Sequence, residues 1–191
     1  MSPDPFGWDA AGRVAQAFDR LGVDYVLGGS LASSLHGDPR MTNDIDFAAR
    51  LLLRHVDPLL AMLGSDFSVD PDSLRDAIRR QASDNLIFMP TITKVDVFVR
   101  GAHPFDDSEF ARRCRMVLPG GAEAWVSSPQ DSILRKLMWF RLGDEVSERQ
   151  WRDVLGMLRQ GQGRLDDAYL DRWAPLLTVA DLLQRARSSL A

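Results

Sequence analysis

The chain has 191 residues, 45% of them hydrophobic and 26% charged, with a formal net charge of -4 and a single cysteine, Cys114. At roughly 100–200 residues per domain, this length excludes two full enzymatic domains, and one cysteine excludes both an intrachain disulfide and a multi-cysteine metal site, which favours a reducing, cytoplasmic compartment. The acidic balance argues against clamping nucleic acid by bulk charge, no apolar run approaches the roughly 18–20 residues of a membrane span, and the start, with no basic residue before Arg13 and no apolar stretch, predicts no signal peptide.

Trp8, Ala11, Val14, Ala15, Phe18 and Leu21 recur at helical spacing, and Gly22 follows where a helix would stop. A short β-prone run over 24–27 meets Gly28 and Gly29. Ser30 is then placed to cap a brief helix over 31–36, which Gly37 and the Asp38-Pro39 turn end. Residues 44–49 alternate polar and apolar and predict a strand. Helices are expected near 55–63 and 73–81, then strands over 85–89 and 94–99, with Val95, Val97 and Val99 on one side and Asp96 and Phe98 on the other. A helix over 105–113 precedes two short strands, 116–118 and 124–126, around Pro119, Gly120 and Gly121. From Pro129 the pattern is helical, broken at Gly143, at 161–163 and at Pro175. The expected fold is α/β: a mixed β-sheet flanked by helices over 1–128, with a C-terminal helical sub-domain over 129–191.

The sharpest local feature is Asp44-Ile45-Asp46, because residues i and i+2 of a strand face one side and set two carboxylates close together. Like charges so placed need a shared proton, an arginine or a divalent cation. Alone, such a triplet more often faces water. Asp96, however, lies in a run too apolar for a surface strand. If its strand adjoins that of Asp44, three carboxylates converge, a hard oxygen set that suits Mg²⁺. Upstream, Gly28, Gly29 and Ser30 stand between a strand and a helix, where backbone N–H groups, a helix N-terminus and a hydroxyl can receive a phosphate.

Taken in order, Leu27-Gly28-Gly29-Ser30, then Asp44-Ile45-Asp46, then a strand with Asp96 resemble the DNA polymerase β-like nucleotidyltransferase superfamily. More narrowly, His36-Gly37 and Arg40-Met41-Thr42-Asn43-Asp44-Ile45-Asp46 look like its AbiEii-type (abortive-infection toxin) and MenT-like branch. Ser128-Pro129-Gln130-Asp131 with Leu134-Arg135-Lys136-Leu137 is similar to that branch's P-E-D and K-L helix, with Gln130 where Glu is usual. Trp151-Arg152-Asp153-Val154-Leu155 resembles its next helix, and Tyr169-Leu170-Asp171-Arg172-Trp173 its closing ones.

The resemblance implies transfer of a nucleoside monophosphate from an NTP to an acceptor hydroxyl, with two Mg²⁺ ions, or Mn²⁺, as cofactor. Asp44 and Asp46 would hold the ion on the triphosphate and share the second with Asp96, which would orient or deprotonate the acceptor. Gly28, Gly29 and Ser30 would cradle the phosphates, and Lys136 would supply a cation to them. Arg40 would reach a phosphate or brace the loop before the strand, and Asp153 would hold Lys136 or Arg152. The acceptor would be RNA or tRNA, a protein or a small molecule, and the chain a toxin with an antitoxin partner. The clusters Arg79-Arg80 and Arg112-Arg113-Arg115 offer local positive patches for a polynucleotide. Two readings stand against this: a non-catalytic nucleotide-binding or regulatory module of the same fold, and a plain α/β interaction domain whose acids are coincidental.

Overall fold

The computed structural model describes residues 7–39, 42 and 44–190. In chain order it comprises α1 (Trp8–Leu21), β1 (Tyr25–Leu27), α2 (Gly29–His36), β2 (Asp44–Ala49), α3 (Val56–Leu63), β3 (Phe67–Ser68), α4 (Pro71–Arg80), β4 (Ser83–Phe88), β5 (Thr93–Val99), α5 (Pro104–Arg112), β6 (Cys114–Val117), β7 (Glu123–Val126), α6 (Pro129–Leu142), α7 (Glu148–Gln160), α8 (Asp167–Leu176) and α9 (Ala180–Ser188). This is the expected mixed α/β fold.

The seven strands form one sheet in the order β3-β4-β5-β2-β1-β7-β6. Two pairings, β1 with β7 and β2 with β5, are parallel, and the other four are antiparallel. Strand alternation decides which residues become core. Ile45, Phe47 and Ala49 of β2 and Val95, Val97 and Val99 of β5 are buried. On this face Phe18 of α1 packs its ring 5.4 Å from Tyr25 and 5.7 Å from Phe47. With period two, Asp44, Asp46 and Asp96 therefore project from the opposite face of the same two strands.

Local chemistry sets the helix ends. Gly22 closes α1 at φ 64°, its N–H returning to the Asp19 carbonyl at 3.2 Å. α4 begins two residues earlier than the sequence periodicity suggests, because Asp70 accepts from the Asp72 and Ser73 N–H groups and Pro71 occupies the first turn. His103 caps α5 in the same way, its Nδ1 accepting from Phe105 N–H at 3.2 Å. Ser30 does not cap α2 as expected: the helix starts at Gly29, whose φ of 58° makes the turn, so Ser30 lies in the first turn. The break expected at Pro175 falls later, at Thr178, with φ 58°, and Pro175 stays inside α8. The strand β3 has no counterpart in the sequence reading, because two residues carry no readable period.

The chain groups into two compact units. One holds Met1–Leu31 and Met41–Ser127, with the whole sheet, and the other holds Ala32–Arg40 and Ser128–Ala191. Residue 128 is the N-cap of α6, its hydroxyl accepting from Asp131 N–H at 3.2 Å. Segment 32–40, assigned from sequence to the α/β part, groups with the C-terminal helices. Two glycines allow this: a Cβ on Gly37 would stand 3.1 Å from Met157 Cγ, and one on Gly156 would stand 3.1 Å from an Asp38 carboxylate oxygen.

Candidate active site

The site in the sheet unit is built on the parallel pairing of β2 and β5. Their register sets Asp44 beside Lys94 and Asp46 beside Asp96. Adjacent strands lie about 4.8 Å apart and residues i and i+2 about 6.6 Å apart. The three carboxylates therefore start from backbone positions within reach of one another and on one face. The antiparallel β4 extends this row, with Asn85 opposite Asp96. Asn85 is a site neighbour that sequence reading missed, since it becomes visible only through the strand register.

Thr42 fixes how the chain enters β2. Its buried hydroxyl donates to the Asp44 carbonyl at 3.0 Å, and Thr42 Oγ1 accepts from Asp44 N–H at 3.3 Å. This gives the threonine of the quoted motif a positioning role. Arg40, expected at a phosphate or as a brace, lies outside the described residues.

The β1–α2 turn meets Asp46 directly. Gly28 N–H donates to the Asp46 carbonyl at 2.8 Å. A Cβ on Gly29 would lie 2.5 Å from Asp46 Cγ and 2.8 Å from its Cβ, so the carboxylate fills the space of a Gly29 side chain. At Gly28 a Cβ would meet only the Asp46 carbonyl oxygen, at 3.9 Å. The two glycines therefore separate experimentally. Gly29→Ala combines a left-handed backbone, about 1–2 kcal/mol, with overpacking of about 1–3 kcal/mol, and lowers the thermal midpoint by several degrees. Gly28→Ala leaves it within about two degrees. Circular dichroism melts of both variants check this, and equal midpoints would contradict the placement of Asp46 against Gly29.

Lys94 dominates the electrostatics. Its Nζ stands 2.9 Å from both Asp96 oxygens, the lysine side chain being 44% exposed and that of Asp96 16%. Its pKa is raised above the ordinary lysine value, first by the hydrogen bond to Asp96 and, against the opposing effect of burial, by the charges of Asp96, Asp44 and Asp46. Lys94 opens the strand expected over 94–99 and carried no role in the sequence analysis. Its position two residues before Asp96 on the same strand was the available signal.

Mg²⁺ fits this group by donor chemistry: three hard carboxylates on adjacent strand positions of one face, with Asp46 cradled against the start of α2. The side chains do not yet close on a common centre. Among the described residues, no three His, Cys, Asp or Glu groups are gathered as a metal requires, and Asp96 is held by Lys94 instead.

Lys136 and Asp153 come together in the helical unit. Lys136 Nζ stands 2.7 Å from Asp153 Oδ2 with both side chains 5% exposed, and donates to Gln150 Oε1 at 3.0 Å. Lys136 is thus a buried, paired cation joining α6 to α7. Nearby in the chain, the fully buried Asp131 accepts from Ser128 Oγ and Tyr169 Oη, both at 2.5 Å.

The expected basic patches are largely neutralised. Arg113 pairs with Asp24 at 2.7 Å and stacks on Trp125, Arg115 pairs with Asp19 at 2.9 Å and with Glu123 at 3.3 Å, and Arg80 pairs with Asp76 at 3.0 Å. His103 caps a helix, and the buried His55 accepts from Leu52 N–H at 3.2 Å, its pKa lowered by burial and then by Arg54. No helix among the described residues is long and apolar enough to cross a membrane.

No protein-family model and no curated protein matches the chain. Several solved structures do. An antigenic nucleotidyltransferase-like protein from Paracoccidioides brasiliensis is 20% identical, with a TM-score of 0.51 over 91% of this chain and 90% of that one. The antibiotic-resistance factor ANT(2'')-Ia matches in its solution structure at 15% identity and TM-score 0.53, over 88% of this chain and 94% of that one. Its crystal structure in complex with adenylyl-2''-tobramycin matches at 16% identity and TM-score 0.53, over 96% and 98%. Over nearly its whole length, the chain shares its fold with these nucleotidyltransferase-like proteins.

Proposed function

We propose that the chain is a nucleotidyltransferase that moves a nucleoside monophosphate from an NTP to an acceptor hydroxyl. The observation that carries this reading is the register Asp44–Lys94 and Asp46–Asp96 on one sheet face, closed on one side by Gly28 and Gly29. Asp44 and Asp46 would hold Mg²⁺ there and would share a second ion with Asp96. Bound in this way, the metal supplies charge neutralisation to the triphosphate and lowers the cost of negative charge at the transferred phosphorus. The remaining work belongs to the protein. Asp96 accepts the proton of the acceptor hydroxyl or orients it. The Gly29 end of α2, with Ser30 in its first turn, offers N–H and hydroxyl donors to the phosphates. Thr42 keeps the β2 carboxylates in place. Lys136 is already neutralised by Asp153, so the part assigned to the pair is to brace α6 on α7.

The acceptor best supported is a compact hydroxyl compound. Arg113 and Arg115 are engaged with Asp24, Asp19 and Glu123 and present a polynucleotide with little unopposed charge. The complex of ANT(2'')-Ia with adenylyl-2''-tobramycin agrees with that class. The toxin role, with an antitoxin as partner and RNA or protein as acceptor, rests on the sequence resemblance.

One observation favours a second reading, a nucleotide-binding module without turnover: Lys94 gives Asp96 a built-in cation that stands in for a metal. Calorimetric titration with each NTP separates the two. The transferase reading predicts tight binding only when Mg²⁺ or Mn²⁺ is present. Equal affinity with a chelator in its place supports the module.

A further inference from the structure

We propose that Lys94 is a tethered counter-ion that occupies the Asp96 carboxylate and is exchanged for the divalent cation when the site loads. The inference rests on the transferase reading above and goes beyond it by assigning a gating residue within the site.

Three observations carry it. The register puts Asp96 beside Asp46 on one face, yet among the described residues no three His, Cys, Asp or Glu groups are gathered as a metal requires. The Lys94 ammonium donates a charge-assisted hydrogen bond to Asp96 Oδ2 at 2.9 Å and stands 2.9 Å from Oδ1, so the carboxylate already carries a cation on both oxygens. The lysine also faces the rest of the group, because it sits directly beside Asp44 on the neighbouring strand.

A dication cannot join Asp96 while that contact persists without placing two cations, three positive charges in all, on one carboxylate. Like charges at such separations repel strongly in a partly buried site. The ammonium must therefore move, and its build allows it to: four rotatable carbons end in a head group on a side chain that is 44% exposed. Arginine in the same place would keep the charge but grip the carboxylate with a planar fork and release it less readily. The device explains how three carboxylates tolerate one another on a single sheet face, and it makes metal loading a competition inside the chain.

The test is titration of the purified full chain with Mn²⁺ alone, followed by calorimetry and by the electron paramagnetic resonance of free Mn²⁺, for the wild type, Lys94→Met and Lys94→Arg. Lys94→Met is expected to bind Mn²⁺ roughly tenfold or more tightly than the wild type, in the direction set by removing a like charge, while Lys94→Arg binds no tighter. Folding of each variant is verified by its melt. If wild type and Lys94→Met bind Mn²⁺ equally, the gate is overturned and the metal site stands. If neither binds Mn²⁺, with or without an NTP, the gate and the metal-dependent reading both fail. If Lys94→Met binds more weakly, Lys94 supports the site instead of guarding it, which also overturns the proposal.

Discussion

Asp46→Asn and Asp96→Asn are each expected to lower the rate of the proposed nucleotidyl transfer by about 10³-fold or more, with the fold intact. Metal-centred neutralisation supplies several kcal/mol to phosphoryl-type reactions, and each 1.36 kcal/mol is a factor of about ten in rate. An amide keeps the volume of the carboxylate but not the charge that recruits the cation. The thermal midpoint stays within a few degrees of wild type. For Asp96 this follows because the pair that it loses, with a 44% exposed lysine, is of the partly exposed kind that contributes at most about 1 kcal/mol. The loss therefore appears in kcat at saturating NTP, beside an unchanged melt. A variant that unfolds, or one that retains transfer within about tenfold, argues against these two acids as metal ligands.

The largest stability effect is expected in the other unit. Lys136 and Asp153 form a 2.7 Å ion pair with both side chains 5% exposed, and removing one partner leaves a buried charge uncompensated. Breaking such pairs costs about 3–5 kcal/mol, so Lys136→Met and Asp153→Leu each lower the midpoint of the helical unit by roughly 10 °C or more. The double variant Lys136→Met/Asp153→Leu recovers most of that loss, because replacing both charges by apolar groups of similar volume is often neutral or better. Thermal melts of the four proteins form the cycle. If Lys136→Met instead melts like the wild type and loses NTP affinity, Lys136 is a phosphate partner, as the sequence resemblance implies, and not a brace.

The sheet and its acids were legible because they obey short periods. β2 and β5 alternate strictly, so their buried faces, and the acids opposite, could be assigned residue by residue. Their adjacency stood only as a condition in the sequence, and the parallel register supplies it. Lys94 escaped notice because a lysine at a strand end is ordinary in sequence, and its meaning lies in a contact with Asp96 and a cross-strand neighbour, Asp44. Ser30 misled because serine after two glycines is a good cap by propensity, whereas Gly29 reaches φ 58° and starts the helix itself. The grouping of residues 32–40 with the C-terminal helices could not be read locally. It depends on Gly37 and Gly156, where an added Cβ would come within 3.1 Å of Met157 and Asp38, close approaches across about 120 residues of chain. The Lys136–Asp153 pair lay between these cases: both residues stood out in the motifs, but their burial follows from packing of α6 on α7.

The central claim is that the carboxylates of β2 and β5 serve transfer of a nucleoside monophosphate. Incubating the protein and Mg²⁺ with NTPs labelled at either the α- or the γ-phosphate, in the presence of hydroxyl compounds, total RNA or total protein, tests it most directly. The account predicts that α-label passes to an acceptor while γ-label leaves as pyrophosphate, and that both processes stop with Asp46→Asn or a chelator. Release of γ-label as inorganic phosphate without any transfer of α-label, or transfer that survives Asp46→Asn, would contradict it.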